Sequence, residues 1–568
     1  MKYKKNYYSN YSELTEQIRY YSETYPQYFK FESIGKTQEQ REIWQVSLTN
    51  FKSGDASEKP GFLIDANMHA SEISGTQVCL YTMEELLSQI KTNKHYQLIL
   101  DKVCLFIIPR VCPDAAEYYM RTNHEVRSSL VKWPNFESFN QFQQTDVNGD
   151  NQILTMRKKD SAGSFKVSSQ NKRLMIQRRH DDFENPEAES EYYTLYPEGH
   201  FSDFKPTAKD YVKENYIAEQ GLDLNRQFPS NYRPEGEQMG SGPYPGFVQE
   251  SKSLIEFVCS QPRIFGHLNL HTYGGLILRS PSGYGEDKVS QQDLQVLNHF
   301  KNRAVEVSGY YGVNTFKEFR YNERDVNTGT LCDWTFEHRG IFSSVIEIWD
   351  VWKAAGLEVK DHVNRYFYPT ENELTKIFNW AKKLFPTKYF YAEWKKFKHP
   401  QLGDIEIGGW RKERIFRNPP EKFLEKECET VFKIILSQIK ASPIITVKSK
   451  KVKKLLADTF LVSMVYKNSG FLPTNGSDQA VKVGAIKKPK IKLTLSKKQK
   501  LAQGESHLET EHLTGRVRFL PWHTPLGFLT RPNTNECLVE WVIQGKGEID
   551  VSADFQRGGM VITKINLK

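Results

Sequence analysis

At 568 residues, with aromatic side chains at 13% and charged ones at 26%, the chain is too long for one ordinary domain and too rich in core-forming residues to be largely disordered. Its net charge of +9 is modest for this length, and no apolar run reaches the roughly 18 residues of a membrane-spanning helix, which excludes that class of protein. The seven cysteines are odd in number and form no CxxC pair, and the opening MKYKKNYYSNYSEL has no apolar core after its lysines, so reduced thiols in a cytoplasm are expected.

In chain order, Leu14, Ile18 and Tyr21 recur at helical spacing after the capping candidates Ser9 and Ser12, which predicts an amphipathic helix over about 11–28. IWQVSLTN reads as a strand. GFLIDANMH followed by TQVCLYTMEELLSQI reads as strand, loop and helix. VCLFIIPRV, IFGHLNLHTYG and FSSVIEIWD are further strands, separated by helical stretches such as QESKSLIEFVCSQ and QQDLQVLNHFKNRAVEV. Strands alternating with helices predict an α/β fold whose mixed sheet is flanked by helices. After about residue 385 the texture changes to short alternating runs, TFLVSMVYK, RVRFLPW, CLVEWVIQG and MVITKINLK, punctuated by Pro and Gly. These predict a smaller, mainly β domain over 443–568, a sandwich. Between them, 386–442 is a mixed connecting region with a helix in EKFLEKECETVFKIILSQIK. Lysines crowd into KSKKVKK and IKKPKIKLTLSKKQK. A solvated surface is the simplest account of them, and contact with a nucleic acid or another anionic polymer is the alternative.

His69 and Glu72 form an HxxE pair at the end of a strand, a spacing that lets an imidazole nitrogen and a carboxylate converge on one zinc ion. With 14 histidines in the chain, roughly one such pair arises by chance. A catalytic zinc takes three protein ligands and keeps a fourth position for water, and His271, at the end of its own strand, is the natural third. Ligands of α/β sheets gather at the carboxyl ends of strands, where His69, His271 and Glu347 all fall.

HASE at 69–72, GLDLNRQFP at 221–229, LNLHTYGG at 268–275, the DW pair at 333–334 and SSVIEIWD at 343–350 resemble, in order and spacing, the signature regions of the zinc carboxypeptidase A family over about residues 1–385. The resemblance implies one zinc ion held by His69, Glu72 and His271, with Asp223 accepting the other ring N–H of His69. A helix or turn cap is the alternative role for Asp223. It further implies that Asn225 and Arg226 bind the terminal carboxylate of a peptide substrate, the guanidinium gripping it through two hydrogen bonds. Glu347 would take the proton of the attacking water, which fits a carboxylate placed inside the apolar strand VIEIW. The family stabilises the oxyanion with an arginine, for which Arg157 in LTMRKKD is the candidate.

The chain also departs from the family. Ser71 stands where pancreatic-type members carry an arginine that helps bind substrate upstream of the cut. Their mobile tyrosine is replaced by Asp325, with Tyr321 four residues earlier, which leaves room for other amide bonds. Cys332 falls at the floor of the family's specificity pocket and argues against basic side chains, and Arg279 in LILRSPSG would suit an acidic group there. A long insertion over about 114–220 includes DVNGDNQI, where Asp146, Asn148 and Asp150 alternate like the first half of a calcium loop. A turn held by its own side chains is the alternative to calcium there. The expected function is therefore zinc-dependent removal of C-terminal residues from peptides or proteins. Cleavage of an unusual amide, such as a cell-wall peptide or a glutamyl branch, and silent binding of an anionic polymer are the alternatives.

Overall fold

The structure, a computed structural model, describes residues 3–131, 133, 142–180, 192–201, 221–320, 326–358, 361–362, 365, 368–517 and 534–568. Its first half is built on an eight-stranded mixed sheet. From one edge to the other the strands are Phe29–Lys36, Glu42–Leu48, Cys104–Ile108, Gly61–Ala66, Ile264–Thr272, Phe342–Ile348, Leu276–Arg279 and Tyr311–Asn314. The four central ones run parallel, and an antiparallel strand flanks them on either side.

Gly61–Ala66 and Ile264–Thr272 are buried along their whole length; the first reads as a nearly continuous apolar run, whereas the second alternates His267, Asn269 and His271 with Gly266, Leu268 and Leu270. On one face, Ile64, Leu268, Leu270 and Ile346 share a core with Met83, Phe300 and Ile435, which come from the helices Ser74–Ser88, Gln291–Ser308 and Glu421–Ile439. On the other, Leu63 and Phe106 pack with Tyr119, Phe257 and Trp334 from Pro113–Thr122, Gln249–Ser260 and Leu331–Arg339. The α/β fold with a mixed sheet flanked by helices is therefore present. The helix Glu421–Ile439 belongs to this main core although it lies beyond residue 385 in sequence.

Local signals fail in two places. The first helix spans Tyr11–Thr24, and its cap is Asn10 rather than Ser9 or Ser12: the Asn10 side chain accepts from the backbone of Glu13, whose carboxylate reaches back to the Asn10 N–H. The insertion also gives up strands that join the chain far downstream. Thr155–Lys159 pairs with Gly403–Trp410 on one side and Tyr192–Pro197 on the other, within a six-stranded sheet.

The C-terminal part consists of two four-stranded antiparallel sheets. Ile445–Leu456, Thr459–Asn468, Glu536–Gln544 and Lys500–Gln503 form one, and His507–Glu509, Lys490–Thr494, Gly547–Asp554 and Met560–Leu567 the other. Phe460, Val462 and Trp541 from the first share a core with Ile491, Ile549 and Val551 from the second, the sandwich expected. Of the run RVRFLPW, residues 518–522 lie outside the described residues. KSKKVKK falls on Ile445–Leu456, an exposed edge strand, where lysines discourage pairing with another chain.

The sandwich is tied to the first half by buried and partly buried polar contacts. The Arg557 guanidinium donates to the carbonyls of Gly340 (2.6 Å) and Arg339, at the end of the helix Leu331–Arg339. Arg263 donates twice to Asp554, at 2.6 and 3.2 Å. Among the described residues no helix is long and apolar enough to cross a membrane.

Candidate metal centre

Parallel pairing brings the central residues together. His271 sits opposite Glu347 on the neighbouring strand, and Asn269 sits opposite Asp65. Because strand side chains alternate between faces, His267, Asn269 and His271 share one face, while Leu268 and Leu270 enter the apolar core on the other. The polar face ends at the carboxyl edge of the sheet, where the loop after Gly61–Ala66 delivers His69 and Glu72.

His69, Glu72 and His271 are all buried and offer donor atoms within 4.8 Å of one another, the one such group among the described residues. Glu72 Oε1 lies 3.0 Å from His69 Nδ1, Oε2 lies 2.9 Å from His271 Nδ1, and the two Nδ1 atoms are 3.0 Å apart. The outer ring nitrogens decide the tautomers. His69 Nε2 faces Asp223 Oδ1 at 3.2 Å, and a carboxylate only accepts, so Nε2 carries the hydrogen. Asn269 donates its amide to Asp65 Oδ2 at 2.6 Å, which turns its oxygen toward His271 Nε2. Asp65 Oδ1 in turn meets His267 Nε2. Both Nδ1 atoms are thereby left as lone pairs facing each other across 3.0 Å. Two acceptors that close are repulsive unless a cation lies between them, and an N2O set at about this spacing suits zinc, whose bonds to nitrogen are roughly 2.0–2.1 Å. The donor set therefore fits the metal.

Charge follows geometry. Burial raises the Glu72 carboxyl, but His69 and His271 outweigh it and hold it well below the usual carboxylate range. Asp223 is likewise opposed by burial and held low by Arg127, Arg226 and His69. Glu347 accepts no hydrogen bond from any described residue, and burial pushes its carboxyl up to about 8, with His271 pulling the other way and Glu72 adding to the rise. A carboxyl beside the donor cluster, held by no described side chain and with its proton affinity raised by burial, takes up a proton more readily than an exposed one and suits a proton-transfer role.

Asp223 performs both of the roles weighed for it. It caps the short turn Leu224–Arg226 by accepting from the Asn225 N–H at 2.8 Å, and it holds His69. That turn presents Asn225, whose side-chain oxygen accepts from the Leu331 N–H, and Arg226, which donates to Asn327 at 3.1 Å.

The structure does not bring Arg157 to the cluster. It lies in the six-stranded sheet, paired with Glu406 at 2.9 Å and stacked between the rings of Tyr193 and Trp394, so it is committed elsewhere. Arg127 occupies the place instead: its Nε donates to Asp223 Oδ2 at 2.9 Å and its Nη1 lies 3.8 Å from Glu72. No motif marks Arg127. The only sequence signal is that the helix Pro113–Thr122 starts at the carboxyl edge of a central strand, so the loop after it can return there.

Arg279 is also committed, buried and paired with Glu286. Cys332 is buried in the first turn of Leu331–Arg339, its thiol pushed well above its ordinary value by burial and by Asp65 and Asp333. Asp146 accepts from the backbone of Gly149, Asp150 and Asn151, and Asn148 from that of Asp150. These are the contacts of a self-bonded turn, and nothing supports calcium there. Tyr321 and Asp325 lie outside the described residues.

Two residues on no sequence-based list complete the rim. Asn418 donates to the Ser71 carbonyl at 2.8 Å and accepts from the Ser74 N–H at 3.1 Å. Beside it, the Arg417 guanidinium stands over the ring of Tyr273, 5.4 Å from its centre.

Comparison with known proteins agrees with this geometry. Residues 14–381 match the family described as zinc carboxypeptidase, and residues 445–566 match a domain of unknown function. A zinc carboxypeptidase of Saccharothrix mutabilis subsp. capreolus is 29% identical over 115 residues, covering 20% of this chain and 26% of that protein. Carboxypeptidase D of Anas platyrhynchos is 24% identical over 252 residues, covering 42% of this chain and 18% of its own. The chain thus spans about a quarter or less of the length of these relatives. Among solved structures, bovine thrombin-activatable fibrinolysis inhibitor in complex with tick carboxypeptidase inhibitor aligns with a TM-score of 0.41 at 13% identity, over 76% of this chain and 98% of that one.

Proposed function

The chain belongs to the zinc carboxypeptidase family, and from that premise we propose that it hydrolyses peptide bonds, removing residues from the C-terminus of a peptide or protein. The observation that carries the proposal is the convergence of His69, Glu72 and His271, with Glu347 in register beside His271 and its carboxyl held by no hydrogen bond among the described residues. Zinc held by the three donors supplies a Lewis acid that polarises the scissile carbonyl and lowers the pKa of water.

The chain's own residues do the rest. Glu347 accepts the proton of the attacking water and hands it to the leaving amine, a task matched to a carboxyl that burial has raised. Arg127, fixed by Asp223, donates to the oxyanion as charge develops on it. Arg226 and Asn225, presented by the turn that Asp223 caps, take the terminal carboxylate. Asp65, through Asn269, keeps the His271 lone pair aimed at the metal.

The test is hydrolysis of blocked dipeptides with free or amidated C-termini by the zinc-loaded protein and its Glu347→Gln variant. Cleavage of the free acids only, falling about 10²–10⁴-fold in the variant with zinc content unchanged, is expected. Equal cleavage of amidated peptides would overturn the C-terminal assignment.

A further inference from the structure

The segment that delivers Arg417 lies beyond the 14–381 family match, yet it is built into the rim of the metal centre. Asn418, 2% exposed, is seated on Ser71 and Ser74 by three hydrogen bonds. These residues flank Glu72, so the position of Arg417 is set by the loop that carries the ligands. The Arg417 backbone N–H closes the preceding turn on Lys412. Its guanidinium lies 5.4 Å from the centre of the Tyr273 ring, two residues past the ligand His271.

The other arginines of this neighbourhood are spoken for. Arg411 donates to the Lys388 carbonyl, Arg414 lies 3.8 Å from Glu413 and 3.7 Å from Glu421, and Arg365 pairs with Asp350. The Arg417 guanidinium has no hydrogen bond or ion pair with any described residue. It is partly buried, and its five donors, taken by no described group, stand open to solvent or to a ligand that can offer a carboxylate. Its field acts on Glu347, Glu72 and Glu125, while that of Arg226 acts on Asp223. The two guanidinia therefore address different sides of the donor cluster, Arg226 beside Asp223 behind His69 and Arg417 beside Tyr273 after His271.

We infer that Arg417 is a substrate-binding residue that takes a carboxylate on the portion of the peptide upstream of the cleaved bond, so that the protein prefers an acidic residue there. The inference rests on the peptidase reading above for its orientation, since Arg226 is assigned the terminal carboxylate. An extended peptide passing the metal would present its last carboxylate to one guanidinium and an upstream side chain to the other. A planar guanidinium favours a carboxylate over a neutral amide through two parallel charge-assisted bonds.

The test compares acetyl-Glu-Leu-Phe with acetyl-Gln-Leu-Phe, and acetyl-Leu-Glu-Phe with acetyl-Leu-Gln-Phe, in two readouts on the full chain loaded with zinc. One is kcat/KM, and the other is calorimetric binding to the Glu347→Gln variant. A preference for glutamate of roughly tenfold or more in at least one pair is expected. In Arg417→Gln the glutamate to glutamine ratio should fall to about one, whatever the absolute rate, and Arg417→Lys should restore part of it. Arg414→Gln, whose arginine is already paired, should leave the ratio as it is, and thermal unfolding of each variant checks that it folds. A ratio near one in the wild-type chain, or one that survives in Arg417→Gln, would overturn the inference. Absence of hydrolysis with the binding preference intact would instead count against the peptidase reading alone.

Discussion

The eight-stranded sheet and the C-terminal sandwich fill their interiors differently. Along the strands Gly61–Ala66, Ile264–Thr272 and Phe342–Ile348, one face carries Asp65, His267, Asn269, His271 and Glu347, the first four wholly buried. In the sandwich the interior is Phe460, Val462, Trp541, Ile549, Val551 and their apolar neighbours, and buried polar residues such as Asn468 and Arg557 sit at strand ends and connections. A polar group in the middle of a buried strand must find a partner in the next strand, and that partner must find another. The result is a series: His271 to Asn269, Asn269 to Asp65, Asp65 to His267, His267 to Thr335, Thr335 to Ser343. The sandwich core has no such dependence, because apolar contacts are many, weak and individually replaceable.

Cutting the series should show the contrast most strongly. Asp65→Ala leaves His267 and Asn269 without their acceptor, and a loss of about 3–5 kcal/mol in denaturant unfolding is expected, together with weaker zinc retention against a chelator as His271 loses its orientation. Ile549→Val in the sandwich core should cost only about 0.5–1.5 kcal/mol. Similar losses from the two changes would break the comparison.

A smaller effect separates the halves by pH. Glu250 is buried in the first turn of Gln249–Ser260, and burial raises its carboxyl from 4.5 to about 7. The folded chain then binds a proton that the unfolded chain has released, so stability falls as pH rises from about 4.5 to about 7 and stays lower above. Glu250→Gln should be more stable than wild type by up to ~3 kcal/mol at pH 8, with the difference gone near pH 4. A constant difference across that range would mean that shape, not charge, is responsible.

The smallest effect is expected where charge is most conspicuous in sequence. Lys451 and Lys453 are exposed on the edge strand Ile445–Leu456, and changing both to Gln should alter stability by no more than about 0.5 kcal/mol. A larger change would mean that the lysine run does more than solvate an edge.

What could be read in the sequence follows the same division. The sandwich strands Thr459–Asn468 and Glu536–Gln544 are legible because buried positions alternate with half-buried or exposed ones, whereas Lys490–Thr494 is hidden in a lysine run. Of the central strands, Gly61–Ala66 and Cys104–Ile108 are legible as apolar runs, and the ligands because their motifs stand in order at strand ends. Arg127 is not legible, and Arg157 draws the eye in its stead, because a loop arginine reaching Asp223 across 96 positions leaves no periodic trace. Pairing of Thr155–Lys159 with Gly403–Trp410 is equally non-local. Asn269 was in view inside LNLHTYGG, but only the register against Asp65 reveals what its amide does. Arg417 lay outside every motif, and its place is fixed by Asn418 rather than by any pattern of its own.

Arg557 carries a consequence for how such a chain can change over generations. Burial pushes its guanidinium down to about 9, with Arg339 adding to the effect, and its donors close the end of the helix that bears Cys332 and Asp333. A chain cut back to the family-matched residues would leave the carbonyls of Arg339 and Gly340 without those donors, at the end of an element that lines the metal half. The sandwich is thus not a detachable passenger: a lineage that lost it would need to repair a helix terminus some 220 positions upstream, whereas one that gained it needed only the arginine, since the receiving carbonyls belong to the backbone.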